Sequence, residues 1–239
     1  MKYIVGDIHG EFRAFERLLD KIKFNNKKDN LYILGDIFDR GDKPLEILTY
    51  IQTYIEDGSM ILIKGNHELF CEYYIDGKLD GKKWDDFGGQ ITRRQVDELS
   101  LENKNKLLKF IKSLPYVVSV DTLRFGEAVL THAGINADYY VFNNDETINV
   151  VESILKAVKK DVYNTLISVD IHILPASILH RLDKYIICGH MRTFYLRNDE
   201  ESLAYITKYY MDIDCGCGHA NGKLCCYNID EDKFIYVDT

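Results

Sequence analysis

Long apolar runs are missing from this chain: none of its 239 residues falls in a stretch apolar and long enough to cross a bilayer. The first charge comes too early in Met1-Lys2-Tyr3-Ile4-Val5-Gly6 for a secretory leader, so a cytoplasmic setting is expected. A surplus of positive charge is missing too. Lys and Arg total 30 against 38 Asp and Glu, a formal net charge of −8. An acidic surface repels phosphate backbones and anionic lipid, so neither a nucleic-acid polymer nor a membrane is an expected partner. An anionic substrate would need local cations where it binds, a first pointer to metal. The six cysteines do not form the paired Cys-x-x-Cys knuckles of structural zinc, and a reducing setting argues against a disulfide framework. No linker, low-complexity tract or repeat interrupts the chain, so one domain over 1–239 is expected.

What the chain does contain is a pattern repeated three times. Apolar runs Tyr3-Ile4-Val5, Leu31 to Leu34 and Met60 to Ile63 lead into Gly6-Asp7, Gly35-Asp36 and Gly65-Asn66. Between them, Phe12 to Phe24 and Pro44 to Glu56 carry apolar residues at helical spacing. This β-α-β-α-β order implies neighbouring parallel strands with helices packed on the sheet. Trp84 to Leu114 reads as helical after a Gly88-Gly89 break. Val117 to Val120, Ala128 to Leu130 and Tyr185 to Cys188 read as strands, and Glu146 to Lys160 as an amphipathic helix. Leu203 to Thr207, Tyr209 to Asp214, Lys223 to Ile229 and Phe234 to Val237 read as a β-rich end, with Asn221-Gly222 as a hairpin turn.

The chemistry gathers where these strands stop. In open α/β sheets, ligands bind at the carboxyl ends of strands. There stand Asp7 and His9, Asp36 and Asp39-Arg40, Asn66-His67-Glu68, then His132 and His190. A single Gly-Asp after a strand is usually a turn or a helix cap. Five strand ends that all carry carboxylate, imidazole or carboxamide point instead to a metal centre on one sheet edge. Such donors suit hard to borderline divalent ions, with no thiolate among them. Two ions clamped side by side form a phosphate-transfer centre, and Asp36 on the middle strand is the natural bridge.

Gly6-Asp7-Ile8-His9-Gly10, Gly35-Asp36-Ile37-Phe38-Asp39-Arg40-Gly41 and Gly65-Asn66-His67-Glu68 resemble the signature blocks of the phosphoprotein-phosphatase family of calcineurin-like metallophosphoesterases. Thr131-His132-Ala133-Gly134 and Gly189-His190 resemble its last two ligand blocks. The resemblance runs from residue 3 to about residue 230. It implies a β-sandwich of two mixed sheets flanked by helices, with metals at the C-terminal ends of strands. It implies that Asp7, His9, Asp36 and His190 hold one ion, that Asp36, Asn66 and His132 hold the other, and that activated water attacks phosphorus directly. Mn²⁺ is the expected ion, with Fe or Zn left open. His67 would be the general acid, Asp39 its orienting partner, and Arg40 and Asn66 phosphate contacts. Asp39 and Glu68 look like the compact bacterial and phage serine/threonine phosphatase branch. A phosphoprotein is therefore the first expected substrate, and a dinucleoside polyphosphate or another small nucleotide the alternative.

Two features depart from the family pattern. The segment Asp161 to Thr165 lacks the usual second phosphate-binding arginine, for which Arg192 or Arg181 could stand in. Gly-His-Thr reads Gly189-His190-Met191-Arg192-Thr193. Gly88-Gly89 suits either a cleft wall or a helix-breaking turn. The Cys215, Cys217, Cys225 and Cys226 cluster fits a hairpin about Asn221-Gly222, with Cys225 and Cys226 on opposite faces of its second strand, better than a zinc site. His172, His180 and His219 have no block around them and read as structural or surface. Tyr73-Tyr74 and Tyr139-Tyr140 could flank the cleft, with packing the commoner use.

Overall fold

The computed structural model describes residues 1–197 and 201–239. Strands β1 (Lys2–Val5), β2 (Asn30–Ile33) and β3 (Met60–Leu62) run parallel, with crossovers through helices α1 (Phe12–Ile22) and α2 (Pro44–Glu56). The register pairs Val5 with Ile33 and Ile33 with Leu62, so three strand ends finish level. Next come helices α3 (Asn66–Ile75), α4 (Gly81–Asp86), α5 (Gln90–Glu98) and α6 (Leu101–Ser113). Strands β4 (Val117–Thr122) and β5 (Gly126–Thr131) open a second sheet, followed by α7 (Val150–Ile167) and α8 (Ala176–Leu179). Strands β6 (Tyr185–Cys188), β7 (Tyr205–Ile206), β8 (Tyr210–Asp212), β9 (Lys223–Asn228) and β10 (Lys233–Asp238) complete the order.

The sheets are β10-β9-β1-β2-β3 and β4-β5-β6-β8-β7. Both are mixed: β9 joins β1 antiparallel, while β5, β6 and β8 are parallel neighbours. Side chains alternate between two buried layers, because successive strand residues point to opposite faces. Tyr3 and Val5 face the layer under α1 to α6, whereas Ile4 faces the opposite sheet. Ala128, Leu130 and Ile187 meet Ile4 and Tyr227 between the sheets, while Val129, Ile186 and Cys188 pack under α7. Each such fully buried aliphatic side chain contributes about 1.5–3 kcal/mol. No helix among the described residues is long and apolar enough to cross a membrane.

Three sequence expectations need correction. The amphipathic helix starts at Val150, not Glu146. Glu146 holds φ +66° and Ile148 bridges to Phe142 and Leu182, so the chain stays extended until Asn149 caps the Glu152 N–H at 2.9 Å. Asn221-Gly222 is not a hairpin turn: β8 and β9 lie in different sheets, and residues 213–222 carry the chain from one to the other. The site-bearing strand ends also come from both sheets, not from one edge. Cys225 faces the inter-sheet layer and Cys226 the helix layer, as alternation along β9 requires.

Candidate metal centre

The expected ligands sit just past strand ends, and three of them, His9, Asp36 and His190, hold backbone that ordinary residues avoid. His9, Asp36, Asp39, Arg40 and His190 all hold positive φ, between 48° and 77°. Such conformations cost of order 1 kcal/mol or more each and persist where the surrounding structure over-determines them. Two glycines make the close approaches possible. A Cβ on Gly65 would lie 2.2 Å from Asp36 Oδ1, and one on Gly189 would lie 2.1 Å from Asp7 Oδ1.

Glu68 explains why the third block ends in a carboxylate. It is the third residue of α3 and fully buried. Its oxygens accept the N–H groups of Gly65 and Asp36, each at 2.8 Å, and of Ile37 at 2.9 Å. The same side chain thus caps α3 and fixes the loop that presents Asp36. Burial, with the Asp36 charge beside it, pushes its carboxyl up to about 7. The positive end of α3 also faces Asp36, whose Oδ1 accepts the His67 N–H at 2.9 Å.

Two imidazoles are oriented by their own hydrogen bonds so that they could serve as ligands. His9 Nδ1 is 3.0 Å from the Phe38 carbonyl and His132 Nδ1 is 2.9 Å from the Leu34 carbonyl. A carbonyl can only accept, so each Nδ1 carries the proton and each Nε2 presents a lone pair. His9 Nε2 lies 3.8 Å from Asp36 Oδ2 and 3.9 Å from Asp7 Oδ2; His132 Nε2 lies 3.5 Å from Asp36 Oδ2. Asn66 Oδ1 stands 2.8 Å from His132 Nε2 and 2.9 Å from His190 Nδ1.

Two tight groups result: His9, Asp36 and His67, and Asp7, Asp36 and His132. Asp36 belongs to both, where a bridging ligand has to stand. The grouping otherwise differs from the expected one. The His190 ring turns to Asn66 and His132, and only its backbone N–H reaches Asp7, at 3.2 Å.

The electrostatics favour bound cations. Asp7 is 2 % exposed, and its Oδ1 has no hydrogen-bond partner. Burial and the neighbouring Asp214 and Asp36 carboxylates push its carboxyl well above the usual range. Asp214 is buried with its Oδ2 likewise unpartnered, and burial raises it too. Burial works against Asp36 as well, but His132, His67 and His9 hold its carboxyl below the ordinary range. Burial, then Arg40 and His67, lower His9, and burial with His132 brings His190 to about 3; both rings stay neutral, as ligands must be. Orphaned carboxylate oxygen, neutral imidazoles and a carboxamide converging on one shared aspartate fit a pair of divalent ions.

Beside these groups His67 and Asp39 form a buried pair. His67 Nδ1 is 2.6 Å from Asp39 Oδ2, and the same oxygen accepts the Trp84 indole N–H at 2.7 Å. Burial alone would lower the His67 pKa, but the Asp36 and Asp39 charges raise it above that of a free imidazole. Arg40 Nη2 lies 3.5 Å from His67 Nε2. Gly88-Gly89 is the helix-breaking turn behind this loop: Gly88 O accepts the Arg40 N–H, and a Cβ on Gly89 would strike the Trp84 ring.

Other expectations fare differently. Arg192 points to His219, with Nη1 3.3 Å from its Nδ1. Arg181 is not at the site; it binds the Glu146 carbonyl and covers Phe142. Tyr74 packs on Trp84 and Tyr73 stacks on Tyr163. His172 pairs with Asp170 and Asp212, a structural use. Trp84, Asp214 and His219 were not identified from sequence, because none stands in a block that marks it.

The span that holds these candidate ligands is matched in known proteins. A family model described as calcineurin-like phosphoesterase matches residues 3–193. The symmetrical bis(5'-nucleosyl)-tetraphosphatase of Pasteurella multocida is 30% identical over 155 residues, 64% of this chain and 51% of that protein. The protein of the same name from Haemophilus influenzae (strain ATCC 51907) is 31% identical over the same shares. The chain therefore spans about half the length of the curated relatives it matches. Solved structures share the fold. A Saccharomyces cerevisiae protein serine/threonine phosphatase has a TM-score of 0.63 at 15% identity, covering 100% of this chain and 79% of that one. A cold-active protein-tyrosine phosphatase of a psychrophilic Shewanella gives 0.61 at 16%, covering 98% and 76%. With the two-sheet fold, the shared Asp36 and the matched span agreeing, this chain belongs to the calcineurin-like phosphoesterases, a family of dinuclear-metal-dependent hydrolases of phosphoric esters.

Proposed function

We propose that the chain hydrolyses a phosphoanhydride bond in a small nucleotide of the dinucleoside polyphosphate class. The observation that carries this reading is the 30–31% identity to proteins named as symmetrical bis(5'-nucleosyl)-tetraphosphatases. It favours the alternative drawn from sequence over the phosphoprotein reading. Asp7, His9, Asp36, Asn66, His132 and His190 would hold two divalent ions, and the oxygen- and nitrogen-rich donor set makes Mn²⁺ the first ion to test. When bound, the ions supply a nucleophile at neutral pH and positive charge against the phosphate oxygens. Arg40 offers its planar fork to the phosphate undergoing attack. His67 delivers a proton from Nε2 to the departing oxygen, while Asp39 Oδ2, 2.6 Å from Nδ1, orients the ring and stabilises its charged form.

A second reading, hydrolysis of phosphoserine or phosphothreonine, is supported by that same pair. A seryl or threonyl alkoxide is a poor leaving group and needs a proton from a placed acid; a nucleotide leaves as a stabilised anion and needs it less. The two readings separate in one initial-rate comparison with Mn²⁺, diadenosine tetraphosphate against a phosphoserine peptide, with His67→Asn as control. The nucleotide is expected to lead in kcat/KM by at least about tenfold, a difference of about 1.4 kcal/mol in transition-state binding. A peptide preferred by that margin would replace the first reading with the second.

A further inference from the structure

A cavity of ≈ 450 Å³ lies beside the metal centre, lined by Arg192, Phe194, Tyr195, Gly216, His219 and Asn221 among others. It joins the centre at two points. Arg192 follows the ligand His190 by two residues. Gly218, the chain neighbour of the lining residue His219, packs directly behind the site, where a Cβ would lie 2.9 Å from His9 Cβ and 3.3 Å from Arg40 Cβ. The cavity is of a size that takes small molecules.

Its walls are divided by chemistry. Near the centre, Arg192 Nη1 donates to His219 Nδ1 at 3.3 Å. Arginine can only donate, so the His219 proton sits on Nε2. That Nε2 is buried and has no hydrogen-bond partner. Burial and the charges of Arg40, Arg192 and His67 bring His219 down to about 4, so the ring stays neutral. An unpaired buried N–H beside the Arg192 guanidinium is matched by an anionic oxygen, such as that of a phosphate.

Farther out, Phe194 and Tyr195 stand edge to face, 5.4 Å between ring centroids, and remain 43% and 60% exposed. The Arg192 guanidinium lies over the Tyr195 ring at 4.5 Å. Large rings left open beside a cationic groove are the usual platform for stacking a base, since every base presents a π-face.

We propose that this cavity is a nucleotide subsite: Arg192 and the His219 Nε2–H hold phosphate oxygens beyond the one attacked, and Phe194 and Tyr195 stack the base. This assignment rests on the dinucleotide reading above and names the residues that would select a nucleotide over a bare phosphate ester.

The test is titration calorimetry on the manganese-loaded protein with adenosine diphosphate and with methyl diphosphate, which carries the same phosphates and no base. The wild type is expected to bind the nucleotide about tenfold tighter. Tyr195→Ala should remove most of that preference, Tyr195→Phe should keep it, and Arg192→Ala should weaken both ligands. Equal affinity for the two ligands in the wild type, or a preference that survives Phe194→Ala combined with Tyr195→Ala, would overturn the subsite. Turnover of diadenosine tetraphosphate is scored separately. No turnover with the preference intact supports the subsite and removes the dinucleotide reading; turnover with no preference removes the subsite alone.

Discussion

Trp84 donates its indole N–H to Asp39 Oδ2 at 2.7 Å, the oxygen that also holds His67 Nδ1 at 2.6 Å. The only tryptophan in the chain thereby holds the carboxylate that pairs with His67, the proposed acid. The Asp39 backbone is tied as well, its N–H donating to Thr92 Oγ1 at 2.9 Å. Trp84→Phe keeps the ring and removes the donor. A hydrogen bond to a charged group contributes about 1.5–3 kcal/mol. If half of that is expressed in the transition state, kcat on an alkyl phosphate falls about threefold to tenfold. Steady-state kinetics on the refolded variant checks this, and an unchanged kcat would mean that Asp39 is positioned without the indole.

Asp39→Asn separates orientation of the acid from its chemistry. Asparagine preserves size but removes the charge that favours protonated His67. The loss should scale with how much the leaving group needs a proton. For an alkyl phosphate a drop in kcat of about 10²-fold is expected, within the usual range for a general acid. For a p-nitrophenyl ester, whose leaving group is stable as an anion, the drop should be under about tenfold. Equal losses on both substrates would remove His67 as the proton donor.

Much of this centre was readable in the sequence because strand, glycine and ligand come in fixed order. Asp7, Asp36 and Asn66 each follow an apolar run and a glycine, and the level register of β1, β2 and β3 turns that order into proximity. His190 follows β6 and Gly189 in the same order, and His132 follows β5 directly, although both strands belong to the other sheet. Trp84 and His219 were not. Trp84 reaches the site from α4 and His219 from the crossover between the sheets, and nothing local distinguishes an indole that holds Asp39 from one that fills a core. The Asn221-Gly222 turn misled because a turn dipeptide specifies a reversal, not which sheet the next strand joins. Its Asn221 does hold φ +62°, but the strand that follows pairs with β1 and β10.

Gly65 gives a test of the metal centre that does not depend on substrate. An alanine Cβ there would lie 2.2 Å from Asp36 Oδ1 and 2.7 Å from the Asp36 backbone nitrogen, inside any tolerable contact. Asp36 would have to move, and it is the carboxylate common to both ligand groups. Gly65→Ala is expected to reduce bound manganese to less than about half of wild type after dialysis, and Gly189→Ala, which meets Asp7, to do the same. Asn105→Ala, at an exposed position of α6, is the control. Elemental analysis of the three variants decides; full metal content in Gly65→Ala would show that Asp36 is not needed as a shared ligand.

Behind the centre, Asp212 makes stability depend on pH in a direction that can be worked out. It is fully buried, and its Oδ2 lies 3.2 Å from His172 Nε2, too oblique for a hydrogen bond. Burial pushes the Asp212 carboxyl up to about 8, against the pull of His172 and with the push of Asp214. His172 is raised as well: burial opposes its charge, but Asp212 and Asp170 outweigh it. Both groups therefore hold protons in the folded chain that the unfolded chain releases at lower pH. Their contribution is complete below the unfolded values and is lost as pH rises through the folded ones. Between pH of about 4 and about 8 this pair's contribution to the metal-free protein should fall with rising pH, at up to about 1.4 kcal/mol per unit for one proton. Asp212→Asn cannot ionise and keeps an acceptor for the Asp214 N–H, which donates to Asp212 Oδ1 at 2.8 Å. The variant should gain on wild type steadily from pH 6 to pH 8 in urea unfolding with chelator present. Parallel curves over that range would mean that Asp212 is ionised in the folded state at both ends, and that His172 alone carries the shared proton.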